Sequence, residues 1–257
     1  MADEVLTATE EHICTVTLNR PDKRNALSPS MIDQLRGHLV CIAADPTVRV
    51  IVLRANGPAF CAGLDLREMA AQRAAGEADL SPLEDILDTL DACPQPTIAA
   101  VQGDAIAGGC ELALFCDIRV GGDGARFAMP LARIGLALPV TLTWKLVDMI
   151  GYAKTYELLL TGDTVNATTA LQLGLLNRLG PAAELDEAAH GLAKQIAHNA
   201  PLGVRAMKAF VRRAATFRRQ LNRDDLEELH RQVRMSAYLK EGLAAQRERR
   251  TPVFQGK

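Results

Sequence analysis

An excess of either charge is the first thing missing: 29 Lys+Arg stand against 31 Asp+Glu in 257 residues, a formal net charge of −2. That balance argues against a protein that holds nucleic acid electrostatically, because such binders carry a basic patch or stripe. No apolar run approaches the ~20 residues needed to span a bilayer. The opening Met1-Ala2-Asp3-Glu4 is acidic and lacks the basic end and apolar stretch of a secretory signal. The expectation is a soluble, cytoplasmic protein with neither nucleic acid nor membrane as partner.

Metal and nucleotide signatures are missing too. The six cysteines, at 14, 41, 61, 93, 110 and 116, form no C-x-x-C pair. Scattered through apolar segments, they read as reduced thiols packed like small apolar side chains. The five histidines form no H-E-x-x-H and no ligand spacing with cysteine, so no metal is expected. Neither a P-loop nor a G-x-G-x-x-G fingerprint is found, which leaves nucleotide phosphates without a recognisable cradle.

What is present is an ordinary globular balance, 48% hydrophobic and 23% charged. A chain of this length buries roughly 70–75% of its unfolded surface and needs no covalent staple. Short β-rich runs alternate with helical stretches in the first half. Strands are expected at Ile13–Leu18, 48–54, Thr97–Val101 and 117–120. Ser28-Pro29 reads as an N-cap followed by a first-turn proline, opening a helix to about Val40. Residues 68–91 should be helical with a break near Gly76 and Pro82. From Thr141 onward the pattern is helical, with glycine-containing stops at Gly151, Gly162, Gly174 and Gly180, then basic amphipathic stretches over 204–213 and 226–250. The fold class is α/β, built of βα units over 1–195 with a helical C-terminal region over 196–257.

Two segments look unlike plain connectors. AFCAGLDL, residues 59–66, follows the second strand, and GDAIAGGCE, residues 103–111, follows the third. Each runs from a strand through small residues into a helix start, where backbone N–H groups lack helical partners and can hold a negative oxygen. Two such donors converging from different loops would form an oxyanion hole. Glu111 lies one turn into the second helix and can face the same space. Either loop alone would read as a turn, and a first-turn glutamate alone as a complement to the helix dipole.

Taken together, and with NRPDKRNAL at 19–27, FAMP at 127–130, LTGD at 160–163, the segment 170–176 and EGL at 241–243, these motifs resemble the crotonase (enoyl-CoA hydratase/isomerase) superfamily over nearly the whole chain. The resemblance implies a spiral of ββα units with a helical C-terminal trimerisation region, assembled as a homotrimer or dimer of trimers. It implies an acyl-CoA thioester as substrate, with CoA entering as part of it and no separate cofactor. By position it places the oxyanion-hole donors at Leu64 and Gly108 and an acid/base at Glu111. It also places CoA contacts near Lys23, Arg24, Ala26 and Ala62, with Arg67 beside the nucleotide and Arg249 in reach of its 3′-phosphate. Arginine suits that task because its planar fork grips phosphate bidentately.

One position departs from the family pattern. Where hydratases of the family carry a second glutamate after the proline of an F-G-x-P-E segment, this chain reads Phe127-Ala128-Met129-Pro130-Leu131. Leucine transfers no proton. Leu131, with Ala137, Leu138 and Trp144, would instead line an acyl pocket, although core packing is the plainer reading of Trp144. Hydratase/isomerase chemistry on a fatty acyl-CoA, with Glu111 as the retained acid/base, is the leading expectation. The alternative is an acyl-CoA-binding protein without hydratase activity, and another enolate reaction or thioester hydrolysis stays open within the enzyme class. Asp65 or a carboxylate within 84–91 could stand in for the missing group.

Overall fold

A computed structural model describes residues 3–74, 82–215 and 224–254. The chain divides into two compact units, one of Met1–Phe127 with Asn166–Arg212 and the other of Ala128–Val165 with Arg213–Lys257.

The first unit is built on a six-stranded sheet. Its members are β1 (Val5–Glu10), β2 (Ile13–Leu18), β3 (Val50–Ala55), β4 (Thr97–Val101), β6 (Ile118–Gly122) and β9 (Arg178–Gly180), side by side in that order. β1 and β2 pair antiparallel and every other pair is parallel. Strands buried on both faces read as continuous apolar runs, and β3 and β4 (VIVLRA, TIAAV) are buried almost throughout. β1 is the sheet edge and was not legible in the sequence. Its residues are exposed after Val5, and its two-residue turn is Glu11-His12, both at positive φ. Such turns normally advertise themselves with Asn-Gly.

Helices cover both faces. In α1 (Pro29–Ala44), Met31, Ile32, Leu35, Leu39 and Ile42 form a buried helical stripe, and the Ser28 hydroxyl accepts the Met31 N–H as the cap. α2 (Leu66–Ala74) and α3 (Pro82–Ala92) fill the expected helical stretch; the break expected near Gly76 lies outside the described residues, and Pro82 opens α3. β5 (Asp104–Ile106) leads into α4 (Gly108–Phe115), which is buried along its whole length. β7 (Arg126–Ala128) follows β6. After β8 (Val165–Asn166) and α6 (Ala167–Leu173), the helix α7 (Leu185–Ala197) sets Leu185, Ala189, Leu192, Ala193 and Ala197 against Ile13, Val50, Val52, Ile98, Ala100 and Val120 of the sheet. α8 (Pro201–Ala215) is tied down by Lys208, whose ammonium lies 2.7 Å from the Asp117 carboxylate and donates to the Gln95 carbonyl at 2.8 Å.

In the second unit a short 3₁₀ turn, Pro130–Ile134, precedes α5 (Val140–Thr161), and α9 (Asp224–Met235) and α10 (Tyr238–Glu248) follow. Gly242 of α10 lies so near Ile134 that a Cβ there would fall 2.5 Å from the Ile134 Cα. Arg250 pairs with Glu241 and Glu248, closing the end of α10.

Several expected boundaries shift. α1 runs to Ala44, and the second and fourth expected strands move to Val50–Ala55 and Ile118–Gly122. The stretch 226–250 is two helices separated at Ser236-Ala237. Gly162 and Gly174 cap helices in the left-handed conformation, and Gly151 breaks the helical dihedrals inside α5. Gly180 ends a strand, because β9 completes the sheet beside β6. Five cysteines are buried as expected, whereas Cys41 is exposed. Trp144 is half-buried.

Candidate active site

The two unusual loops meet. The Cys61 N–H donates to the Asp104 carbonyl at 2.9 Å, and the Ile106 N–H donates back to the Cys61 carbonyl at 3.0 Å. These bonds set the loops running in parallel, bringing Gly63 beside Gly108. A Cβ on Gly63 would fall 3.2 Å from the Gly108 nitrogen, and one on Gly109 would fall 2.0 Å from the Cys61 carbonyl oxygen. Gly63 also holds φ +88°, a conformation L side chains rarely adopt. Among the described residues, no hydrogen bond is made by the N–H of Leu64 or of Gly108. Gly108 is the first residue of α4, where helical N–H groups have no partner. Ala107 before it is held at φ 49°, ψ −119°, a strained backbone for a residue with a Cβ.

A third segment joins from the motif at 19–27. Ala62 N–H donates to the Arg24 carbonyl at 3.0 Å, Leu27 N–H to Gly63 at 2.8 Å, and Asp65 N–H to Leu27 at 2.9 Å. These bonds place Arg24, Ala26 and Ala62 next to Leu64. Lys23 and Arg24 are exposed, with Arg24 in the left-handed region after a 3₁₀ turn. Arg67 is exposed in the first turn of α2. The structure therefore brings Lys23, Arg24, Ala26, Ala62, Leu64, Gly108 and Glu111 into one unit. Leu131, in the Pro130–Ile134 turn, and Arg249, the exposed left-handed cap of α10, belong to the other.

Two positioning residues went unread in the sequence although their motif was noticed. Asn25 is fully buried at φ 53°; its amide donates to the Asn56 carbonyl at 2.8 Å and the Ala59 carbonyl at 2.9 Å, and its oxygen accepts the Arg20 N–H at 2.8 Å. Arg20 reaches Glu4, Asp65, Glu68 and the Ala26 carbonyl. Only the affinity of asparagine for the left-handed region hinted at this. Gln102 completes the scaffold by donating to the carbonyls of Ala55, Gly57 and Ala59.

Glu111 sits in this setting at 5% exposure. Burial, and after it the charge of Glu84, raises its carboxyl from 4.5 to about 7. Cys61, pushed up to about 12 by burial, is a neutral neighbour. Leu83 and Leu27 flank Gly108: their side chains lie 3.0 Å and 3.6 Å from where its Cβ would be. A low-dielectric wall of this kind strengthens any hydrogen bond made to a developing anion. Among the described residues, no group of three metal-ligating side chains occurs and no helix is long and apolar enough to cross a membrane.

Comparison with known proteins agrees in one direction. The enoyl-CoA hydratase/isomerase family model matches residues 8–257. A 2,3-dehydroadipyl-CoA hydratase of Escherichia coli K12 is 33% identical over 255 residues, 99% of each chain. The crystal structure of an enoyl-CoA hydratase/isomerase from Pseudoalteromonas atlantica T6c superposes with TM-score 0.90 at 28% identity, covering 98% of this chain and 100% of that one. A methylmalonyl-CoA decarboxylase in complex with 2-nitronate-propionyl-CoA superposes with TM-score 0.89 at 27% identity over 100% of both chains.

Proposed function

Because the chain belongs to the enoyl-CoA hydratase/isomerase family and is an enzyme acting on acyl-CoA, we propose that it hydrates or isomerises a fatty enoyl-CoA through an enolate, with Glu111 as acid/base. The N–H groups of Leu64 and Gly108 hold the thioester oxygen. Withdrawing electron density into that oxygen makes the C2 proton acidic or C3 electrophilic, and stabilises the enolate between the steps. Glu111, with its affinity raised to about 7, can both hold and release a proton near neutral pH. The observation carrying this reading is the junction itself: unpaired amides at 64 and 108 beside a buried glutamate one turn further along α4.

On this reading Lys23, Arg24, Ala26 and Ala62 line the CoA path, while Arg67 supplies a cation for its phosphates. CoA arrives as part of the substrate, and no separate cofactor is needed. Leu131, in the second unit, stands where the family pattern has its second carboxylate and transfers no proton. Exposed Leu202, Met207, Phe210 and Val211 on α8 support assembly into a homotrimer or dimer of trimers. Sedimentation velocity checks that state.

A product-resolved assay on 2-enoyl- and 3-enoyl-CoA of several chain lengths tests the chemistry. Turnover that Glu111→Gln abolishes, with acyl-CoA binding retained by calorimetry, is the expected outcome. Full activity of the variant overturns the role. Binding without turnover by the wild type would favour the non-catalytic alternative, which the leucine at 131 motivates.

A further inference from the structure

We infer that Arg20 is a positioning residue for catalysis: its guanidinium closes a hydrogen-bonded relay of two peptide groups that aims and polarises the Leu64 N–H. The inference rests on the oxyanion hole proposed above. The Gly63 carbonyl and the Leu64 N–H belong to one planar trans peptide and point in opposite directions. The Leu27 N–H donates to that carbonyl at 2.8 Å, and so fixes the side to which the Leu64 N–H turns. The Leu27 N–H shares its own peptide with the Ala26 carbonyl, which accepts from Arg20 Nη1 at 2.7 Å. From cation to open end the order is Arg20, the Ala26–Leu27 peptide, the Gly63–Leu64 peptide, and then the space in front of the Leu64 amide.

The amides on either side of Leu64 are both taken: the Gly63 N–H donates to the Cys61 Sγ at 3.4 Å, and the Asp65 N–H to the Leu27 carbonyl at 2.9 Å. Leu27 and Leu64 form an isolated parallel rung rather than a ladder, so no neighbouring rungs lock it. Arg20 grips both sides of that rung. Its Nη1 holds Ala26 on one side and lies 3.4 Å from the Asp65 carboxylate on the other, while Nη2 lies 2.7 Å from Glu68 in the first turn of α2. Asp65 in turn accepts the Glu68 N–H at 3.3 Å. Nε meets Glu4 at 3.0 Å, and the other Glu4 oxygen accepts the hydroxyl of Ser28, the cap of α1. The Arg20 side chain is 11% exposed, which shields these contacts from water.

Hydrogen bonds in a chain strengthen one another by about 10–30% per bond. A bond from an ionised donor is roughly twice as strong as a neutral one. Both peptides of the relay present their N–H toward the hole, so density drawn out at the Ala26 carbonyl leaves the Leu64 N–H a stronger donor to an enolate oxygen. Three carboxylates offset the Arg20 charge at longer range, so its influence passes through the 2.7 Å contact with Ala26 rather than through its field. Gly108, the other donor, opens α4 and takes no part in the relay. Loss of Arg20 should therefore weaken one of two donors rather than abolish the hole.

Infrared difference spectra of bound butyryl-CoA, a saturated thioester labelled with carbon-13 at C1, read the carbonyl polarisation, and steady-state kinetics on crotonyl-CoA read its consequence. In the wild type the carbonyl band is expected below its position in free butyryl-CoA. Arg20→Gln keeps a neutral donor and loses the charged fork. Its band should move back toward the free position, and kcat should fall about tenfold with KM within about threefold, circular dichroism staying native. Arg20→Lys, which keeps the charge and a single donor, should lie between the two, and it carries the comparison if Arg20→Gln does not fold. A packing role alone would lower stability without moving the band of bound ligand. A wild-type band position in the folded variants, with kcat within about twofold, overturns the assignment of Arg20 and leaves the hole standing. Wild-type protein that holds the carbonyl band at its free position, or binds no butyryl-CoA, overturns the oxyanion hole and this inference with it.

Discussion

Gly63 and Gly108 touch backbone to backbone: a single added carbon on Gly63 would stand 3.2 Å from the Gly108 nitrogen and 3.0 Å from the Ile106 carbonyl oxygen. The space in front of two unpaired amides is thus kept open by the absence of a side chain.

Filling that space should disable the site. Gly63→Ala must push the loops apart and also strains a backbone at φ +88°. Losing one aligned oxyanion donor costs on the order of 10²–10³ in rate. The expected result is a loss of that size in kcat/KM on crotonyl-CoA, with circular dichroism still native. Unchanged kcat/KM would show that the amides at 64 and 108 do not act together.

Glu111 links the site to stability. Its carboxyl titrates at about 7 in the folded chain against 4.5 ordinarily. Between those values the unfolded chain has lost the proton and the folded chain keeps it, so the folded state binds more protons. Stability is therefore fully present below about 4.5 and falls as pH rises through about 7. The difference is on the order of 3 kcal/mol. Urea denaturation at about pH 5 and about pH 8 should show this fall in the wild type and a smaller one in Glu111→Gln.

Asn25 holds the motif at 19–27 against the turn that precedes the first glycine loop. Asn25→Ala leaves the Asn56 and Ala59 carbonyls without that donor, although Gln102 still serves Ala59, and puts alanine at φ 53°. A loss of about 2–4 kcal/mol in unfolding free energy is expected. Weaker calorimetric binding of CoA thioesters should accompany it, because Arg24 and Ala26 lose their placement beside Ala62.

Arg119 is a buried cation, 5% exposed, whose guanidinium donates to the carbonyls of Leu175 and Cys116, each at 2.7 Å. Its N–H and Nη2 both reach the Asn177 side-chain oxygen. The residue pins β6 to the chain entering β9. Arg119→Leu strands those acceptors and should cost about 2–5 kcal/mol by denaturant titration. Arg119→Lys should recover little of it, since one ammonium cannot reproduce the fork.

The sequence by itself determined the parts that depend on local pattern. The alternating, β-branched run at β2 and the nearly continuous apolar runs at β3 and β4 specify strands, Ser28-Pro29 specifies the opening of α1, and the two glycine loops specify helix starts after strands. Each of these signals lies within about ten residues. Family membership was legible for the same reason, as an ordered series of short motifs.

Tertiary structure decided whatever depends on residues far apart in the chain. β1 became a strand because β2 offered it an edge, against a turn sequence that says nothing of a hairpin. Gly180 became strand because β6 was there to pair with it. Asn25 took a positive φ because the Asn56 and Ala59 carbonyls awaited a donor, and the proton affinity of Glu111 rose because the fold buried it and set Glu84 nearby. Burial and long-range charge exist only once the chain has closed on itself, so spacing can nominate a glutamate while only the packed core assigns its protonation.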